Sequence, residues 1–216
     1  MSLSIEVVSD VVCPWCFIGK RRLDEALHAY RALGKPAPSV LWRPYQLNPG
    51  LPEAGADGQQ FFAGQFGEVG RNRVYARVAA IGKQIGIQFA FEKIVRQPNT
   101  LAAHSLIGLA DGYGLQSRIV DDLFEAYFIE YLDLSDKSVL QRLAEKAGLP
   151  GKAVRATLAS AEVRQRVVEE EREVRKIGVQ GAPVFIFNRN LVLSGAHEPE
   201  VLLRAMKESN GGEAAA

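Results

Sequence analysis

The apolar and polar positions at the start of the chain predict a strand, a helix and a second strand. A β-branched run at 5–8 ends at Ser9, as a buried strand does. Apolar residues then recur at helical spacing over 23–33, and the segment 39–47 is typical of another strand. This order predicts a βαβ unit with a right-handed crossover.

The middle of the chain is predicted to be helical. Apolar residues recur there at helical spacing, with Gly, Pro or Ser at the joints. The charged run at 169–175 alternates in sign and is predicted to be a solvated helix face. A segment at 87–91 alternates only weakly and is interpreted as loop or short extended chain. The predicted helices lie near 58–67, 70–86, 100–111, 116–130, 136–147, 151–159 and 162–177.

Strands return near the end of the chain. The runs 184–187 and 191–194, joined by a polar turn, predict a β-hairpin, and a final helix is predicted around 200–207. A βαβ unit and a hairpin each leave apolar faces uncovered when alone. We therefore expect them to join in one four-stranded sheet that is flanked by helices, with the helical block as an insertion.

Composition excludes several classes of function. The 216 residues include 26 Lys and Arg against 25 Asp and Glu, whereas binders of nucleic acid or anionic membranes need a concentrated basic excess. Hydrophobic residues make up 47% and charged residues 24%, as in ordinary soluble globular proteins. No uncharged apolar run approaches the roughly 18 residues of a transmembrane helix. We therefore expect neither a nucleic-acid partner nor a membrane partner.

The two cysteines point to chemistry more than to a structural disulfide. The first ten residues lack the basic and apolar regions of a signal peptide, which predicts a cytoplasmic protein. Because the cytosol is reducing, a lone pair of cysteines there is more often catalytic or metal-bound than permanently oxidised.

Cys13-Pro14-Trp15-Cys16 lies where the first strand meets its helix. A thiol at a helix N-terminus faces unpaired backbone N–H groups and the positive end of the helix dipole, which favour the thiolate. We expect Cys13 to be the more exposed thiol and the nucleophile. Cys16 follows one helical turn later and is the predicted resolving thiol. Pro14 suits the first helical position, and Trp15 is expected to form part of an apolar binding edge.

Two other interpretations of the cysteine pair stay open. A structural zinc site needs four ligands, and the three histidines at 28, 104 and 197 show no ligand spacing. An inert buried pair is the other interpretation, since free cysteine often packs as a small hydrophobe. The position at a strand-to-helix junction favours redox chemistry over both, so we expect no metal.

A second candidate element precedes the hairpin. Ala182-Pro183 stands at the start of a predicted strand, and X-Pro bonds are where cis peptides occur. A cis bond there would turn the backbone of residue 182 toward Cys13. Backbone groups exposed in this way are able to pair with an extended substrate.

These features together resemble the DsbA family of thioredoxin-fold proteins. The resemblance rests on the C-P-W-C motif, the G-V-x-G-x-P at 178–183, the Ser-Gly-Ala at 194–196 and the long helical insertion. Within the family, the chain is most similar to the FrnE-type dithiol-disulfide oxidoreductases and isomerases. The resemblance implies attack by Cys13, resolution by Cys16 and a cis Pro183.

The resemblance also implies a fold and a function. A discontinuous thioredoxin-like α/β domain is formed by 1–57 and 178–216, and an all-α domain at 58–177 is inserted between the second and third strands. We predict a thiol–disulfide oxidoreductase or isomerase acting on protein or peptide disulfides, as a monomer or homodimer. No bound cofactor is expected, and glutathione or a thioredoxin-type protein is the expected reducing partner.

Two alternative functions remain. The kappa-class glutathione transferases and 2-hydroxychromene-2-carboxylate isomerases, a related branch that binds glutathione, are similar to this chain at Asn99, Thr100 and His104. A glutathione-dependent isomerase or transferase is therefore one alternative, with Asn99 and His104 as candidate binding residues. Without that role, Asn99 caps a helix and His104 is a partly buried helix residue. A chaperone-like binding module is the other alternative.

Overall fold

The order of strands and helices follows the predicted mixed α/β pattern. The computed structural model describes residues 3–210, with side chains described for 3–61 and 73–210. The strands in this part of the chain are β1 (Ser4–Ser9), β2 (Ser39–Pro44), β3 (Ala56–Asp57), β4 (Arg96–Gln97), β5 (Val184–Phe187) and β6 (Leu191–Ser194). The α-helices are α1 (Pro14–Ala32), α2 (Gly58–Gln84), α3 (Leu101–Asp111), α4 (Gln116–Phe128), α5 (Lys137–Lys146), α6 (Gly151–Ala159), α7 (Ala161–Lys176) and α8 (Pro199–Asn210).

Four strands form the central sheet, in the order β2-β1-β5-β6. β1 and β2 are parallel, with Val7 opposite Trp42, and β1 and β5 are antiparallel, with Val7 opposite Phe185. All four residues of β5 are buried, whereas β6 at the edge is more exposed. The predicted four-stranded sheet, its βαβ unit and its hairpin are therefore confirmed.

The helical stretch differs from the prediction at its start. α2 runs unbroken from Gly58 to Gln84, so the prediction of two helices at 58–67 and 70–86 is wrong. Glycine in a helix costs only about 1 kcal/mol relative to alanine and does not block the helical hydrogen bonds as proline does. The other predicted helices of the insertion are confirmed to within two residues at each end.

A two-stranded ribbon lies beside the helical insertion. β3 pairs antiparallel with β4, with Ala56 opposite Gln97. Gly58 follows directly and donates its backbone N–H to the carbonyl of Val95 at 2.9 Å. The sequence did not predict this ribbon, because strands of two residues are too short to show an alternating pattern.

One apolar core joins the sheet to the inserted helices. Phe17 of α1 stacks on Phe124 of α4 with ring centroids 5.1 Å apart, and it meets Phe89 edge to face at 6.0 Å. Ile5 of β1 and Phe187 of β5 belong to the same cluster. α1, which carries the cysteine motif at its start, therefore packs between the sheet and the insertion.

The charged run at 169–175 is not simply a solvated face, which corrects the prediction. Glu171 is 4% exposed, and its carboxylate accepts from the backbone N–H and side-chain amide of Gln46 at 3.0 and 2.8 Å. Arg175 donates to the same carboxylate at 2.6 Å and lies over the ring of Tyr45 at 4.0 Å. α7 packs against β2 here, so one acidic residue of the run is buried among hydrogen-bond donors.

Candidate active site

The loop between β1 and α1 places Cys13 at the N-terminus of α1. Cys13 is extended, with φ −90° and ψ 112°, and Pro14 begins the helix. The N–H of Cys13 donates to the carbonyl of Asp10 at 3.0 Å, and the N–H of Cys16 donates to the carbonyl of Cys13 at 2.9 Å. Pro14 has no N–H, so it adds no unpaired donor to the first turn. Cys13 thus lies at the positive end of the helix dipole.

Cys16 is the inner cysteine. It is 1% exposed against 4% for Cys13, which follows the predicted order although both are buried. Burial raises the pKa of the Cys16 thiol well above its usual range, and the neighbouring Cys13 raises that pKa further. The backbone of Asp10 and the nearby hydroxyl of Ser9 lower the pKa of Cys16 by less. Cys16 is therefore a protonated thiol near neutral pH.

The sulfur of Cys13 contacts the segment that precedes β5. Its thiol donates to the carbonyl of Ala182, with Sγ and O 3.6 Å apart, and the Ala182–Pro183 peptide bond is cis. α1 comes close to this segment at Gly19, where a Cβ atom would lie 3.1 Å from Phe185 and 3.2 Å from Pro183. The structure thus brings together the two elements that the sequence singled out, and Gly19 leaves room for the approach.

Cys13 opens onto a cavity of about 320 Å³ between the cysteine loop and the insertion. Pro14, Trp15 and Ala182 from the predicted site line it together with Cys13. Sequence reasoning missed the remaining wall, which gathers residues from distant segments: Val12, Leu47, Asn48, Phe61, Val74, Tyr75, Val78, Phe91, Ile94, Gln97, Tyr127 and Phe128. The described lining contains no Asp, Glu, Lys, Arg or His side chain.

Gln97 and Tyr127 form a buried polar pair in the cavity wall. The hydroxyl of Tyr127 donates to Oε1 of Gln97 at 2.9 Å, and the two residues are 1% and 2% exposed respectively. Burial raises the pKa of Tyr127 well above its ordinary range, so the phenol stays protonated and remains the donor. The backbone of Gln97 is fixed by the β3–β4 ribbon.

Asn99 and His104 lie outside the lining of this cavity. Oδ1 of Asn99 accepts from the N–H of Leu101 at 3.0 Å, and its amide donates to the carbonyl of Leu51 at 2.7 Å. Asn99 thus pairs with the first N–H of α3, although the N-cap position itself is Thr100. His104 is 4% exposed, and its Nε2 lies 3.4 Å from Oδ1 of Asp10. Asn99 therefore contacts Leu51 and the start of α3, whereas His104 lies beside Asp10.

Asp10 is a site residue that sequence reasoning missed. Asp10 is 1% exposed, and its carboxylate accepts a hydrogen bond from the N–H of Leu47 at 2.7 Å. Its backbone carbonyl accepts from the N–H of Cys13. Asp10 therefore ties the cysteine loop to the segment after β2, which lines the cavity. A carboxylate between a predicted strand and the cysteine motif was the only sequence feature that pointed to it.

Two further features bear on the site. Within residues 3–61 and 73–210, no group of three or more His, Cys, Asp or Glu side chains is placed to hold a metal ion. No helix in the described part of the chain is long and apolar enough to cross a membrane.

The whole arrangement of strand, cysteine motif, insertion and hairpin matches a known family. Residues 4–207 match the model of the DSBA-like thioredoxin domain. The chain belongs to the DsbA-like family. A probable DsbA oxidoreductase from Streptomyces coelicolor has a similar structure, with a TM-score of 0.86 and 26% identity over 99% of this chain and 92% of that chain. The predicted family and thioredoxin-like fold are thereby confirmed, whereas the FrnE-type subgroup stays a prediction.

Two other comparisons extend the picture. The protein YwbO of Bacillus subtilis (strain 168) is 26% identical over 211 residues, which are 96% of this chain and 98% of that protein. The cytosolic disulfide reductase DsbM from Pseudomonas aeruginosa, solved with GSH, has a TM-score of 0.67 at 16% identity and covers 96% of this chain and 99% of that chain. At that identity, the likeness to DsbM concerns the fold.

Proposed function

We propose that the protein is a thiol–disulfide oxidoreductase or isomerase that works through Cys13 and Cys16. The observation that carries this proposal is the position of Cys13, which starts a helix, contacts Ala182 and opens onto a cavity. Membership of the DsbA-like family and the similarity to a probable DsbA oxidoreductase support the same chemistry.

The reaction has two exchange steps. The Cys13 thiolate attacks one sulfur of a substrate disulfide, the substrate S–S bond breaks, and the other sulfur leaves as a thiolate. Cys16 gives its proton to the thiolate released in the first step or to water, and its own thiolate attacks the Cys13 sulfur of the mixed disulfide. The bond between Cys13 and the substrate sulfur breaks, and the second substrate thiolate leaves. The substrate gains two electrons, and the protein ends with a Cys13–Cys16 disulfide. Oxidation of a substrate dithiol runs the same steps in reverse.

The burial of Cys16 sets the order of these steps. A protonated thiol is a poor nucleophile, so the raised pKa of Cys16 leaves the first attack to Cys13. In the second step, the backbone of Asp10 stabilises the Cys16 thiolate, because a hydrogen bond to the sulfur favours the charged form.

The proposed substrate is a protein or peptide that carries a disulfide. Backbone groups beside Pro183 are placed next to Cys13 and suit pairing with an extended chain. We propose glutathione or a thioredoxin-type protein as the reducing partner in the cytosol. The solved structure of DsbM with GSH supports glutathione as the first one to test.

Two single-atom replacements test the mechanism. Cys16→Ser should accumulate a mixed disulfide on Cys13, because the resolving step is lost while the attacking thiol remains. Cys13→Ser should lose turnover in the reduction of a disulfide-bonded protein by dithiothreitol. Mass spectrometry of acid-quenched samples detects the trapped species, and thermal unfolding shows that both variants are folded. Full activity of Cys13→Ser would refute the proposal.

The same variants separate the alternative functions. Unchanged glutathione-dependent activity in Cys16→Ala would favour an isomerase or transferase, which needs no resolving thiol. Suppression of aggregation by a protein that lacks both thiols would favour a chaperone. The dithiol mechanism requires both cysteines for turnover.

A further inference from the structure

The cavity beside the cysteines has walls that suit an uncharged ligand. Its described lining contains no Asp, Glu, Lys, Arg or His side chain. Aromatic rings form part of it, where Tyr75 stacks on Phe91 at 4.2 Å and Phe128 meets Phe91 edge to face at 6.3 Å. The volume of about 320 Å³ falls in the range of small-ligand pockets. A charged group buried there would lose hydration without gaining a partner of opposite charge among the described lining residues.

Gln97 gives this apolar cavity a hydrogen-bond donor. Its Oε1 is occupied by the hydroxyl of Tyr127 at 2.9 Å, and its backbone pairs with Ala56 in the ribbon. Gln97 is only 2% exposed and lines the cavity. Its amide nitrogen donates to no residue in the described part of the chain. The N–H groups of Gln97 are therefore left for a molecule that enters the cavity.

We propose that the cavity selects an uncharged substrate group with an aromatic body and a hydrogen-bond acceptor at its inner end, as in a tyrosine side chain beside the substrate cysteine. Gln97 is the specificity-determining residue, because its amide donates to that acceptor. A group without an acceptor leaves a buried donor unpaired, which is how sites built for a hydroxyl discriminate against its absence. This inference rests on the proposed exchange at Cys13, which lines the same cavity.

Matched disulfides test the selectivity on the unaltered protein. The probes are symmetrical disulfides of four capped dipeptides, in which cysteine is preceded by Tyr, Phe, Ala or Glu, together with glutathione disulfide. Reduced protein is mixed with each probe, quenched in acid and alkylated, and the oxidised fraction is measured by mass. Rates with dithiothreitol in place of the protein give the intrinsic reactivity of each disulfide.

The tyrosyl probe should react roughly 3- to 10-fold faster than the phenylalanyl probe after that correction, which is the effect of one hydrogen bond. The phenylalanyl probe should exceed the alanyl probe, and the glutamyl probe and glutathione disulfide should be slowest. Equal corrected rates for tyrosyl and phenylalanyl probes would overturn the inference, as would a glutamyl probe that reacts as fast as the phenylalanyl one.

A pair of variants assigns the preference to Gln97. Gln97→Leu removes the amide at similar volume, so the tyrosyl rate should fall to about the phenylalanyl rate. Gln88→Leu makes the same replacement at an exposed position outside the lining, and the tyrosyl preference should persist. A tyrosyl preference that survives Gln97→Leu would contradict the role of Gln97. If that variant fails to fold, the probe series on the unaltered protein still decides.

The outcomes for the function and for the pocket are distinguishable. If no probe oxidises Cys13 and Cys16, the proposed thiol–disulfide exchange is wrong. If all probes react in the order of their intrinsic reactivity, the exchange stands and the pocket assignment is wrong.

Discussion

Replacing Glu171 by glutamine should destabilise the protein far more than its position in a charged run suggests. The carboxylate accepts two hydrogen bonds from Gln46 and two from Arg175, at 2.6 to 3.0 Å, and the side chain is 6% exposed. A glutamine oxygen accepts at most two of these bonds, and its NH₂ group would face donors. Hydrogen bonds to charged groups contribute about 1.5–3 kcal/mol each, but the Arg175 side chain is 39% exposed and its share is screened. We therefore expect a loss of about 2–4 kcal/mol.

The assay is urea unfolding of both Glu171→Gln and a matched control. In thermal unfolding of the same variants, a loss of about 2–4 kcal/mol corresponds to a fall in Tm of about 5–15 °C for a chain of this size. Glu173→Gln makes the same change two residues later, where a 62% exposed side chain pairs with Lys176, and it should stay within about 0.5 kcal/mol of the original protein. If the two variants have the same midpoint and slope, the buried role of Glu171 is refuted.

Four further predictions concern glycines and thiols. Gly58→Ala should destabilise by about 1–3 kcal/mol, since its Cβ would lie 2.7 Å from the carbonyl oxygen of Ile94, and unfolding midpoints measure this. Gly108→Ala adds a Cβ inside α3 that meets no atom within 4 Å apart from the local backbone of its own helix. It should stabilise by about 0.5–1 kcal/mol, and an unchanged or lower midpoint would contradict this. Iodoacetamide near pH 7.5 should label Cys13 well before Cys16 in the folded protein. The pKa of Cys16 is raised in the folded protein, so its thiol ionises first in the unfolded chain, above about pH 8.5. The free energy of unfolding should therefore fall as the pH rises above that value, and Cys16→Ala should make this fall smaller.

Elements with strong local patterns were predictable from the sequence. β1, α1 and the β5–β6 hairpin carry apolar periods and turn residues within short segments, and the structure has them at the predicted places. The cysteine motif and the Ala182-Pro183 pair were also identifiable, because a helix start and an X-Pro bond each act through local chemistry. Their contact at 3.6 Å follows from the family fold and from close packing at Gly19.

The rest of the site depends on contacts between distant segments. Gln97 and Tyr127 are 30 residues apart, and each looks ordinary in its own neighbourhood. Asp10 and Glu171 are buried because donors from other segments surround them, which a pattern of charge along one segment does not reveal. For the same reason, the charged run containing Glu171 was predicted to be a solvated helix face.

The redox titration of the cysteine pair tests the central claim most directly. The protein is equilibrated in buffers of increasing glutathione disulfide to glutathione ratio, quenched and alkylated, and its free thiols are counted by mass. The account predicts that Cys13 and Cys16 lose their thiols together in one two-electron transition, with a midpoint between about −270 and −120 mV. Failure to form a Cys13–Cys16 disulfide at any ratio, with glutathione accumulating on Cys13 instead, would contradict it.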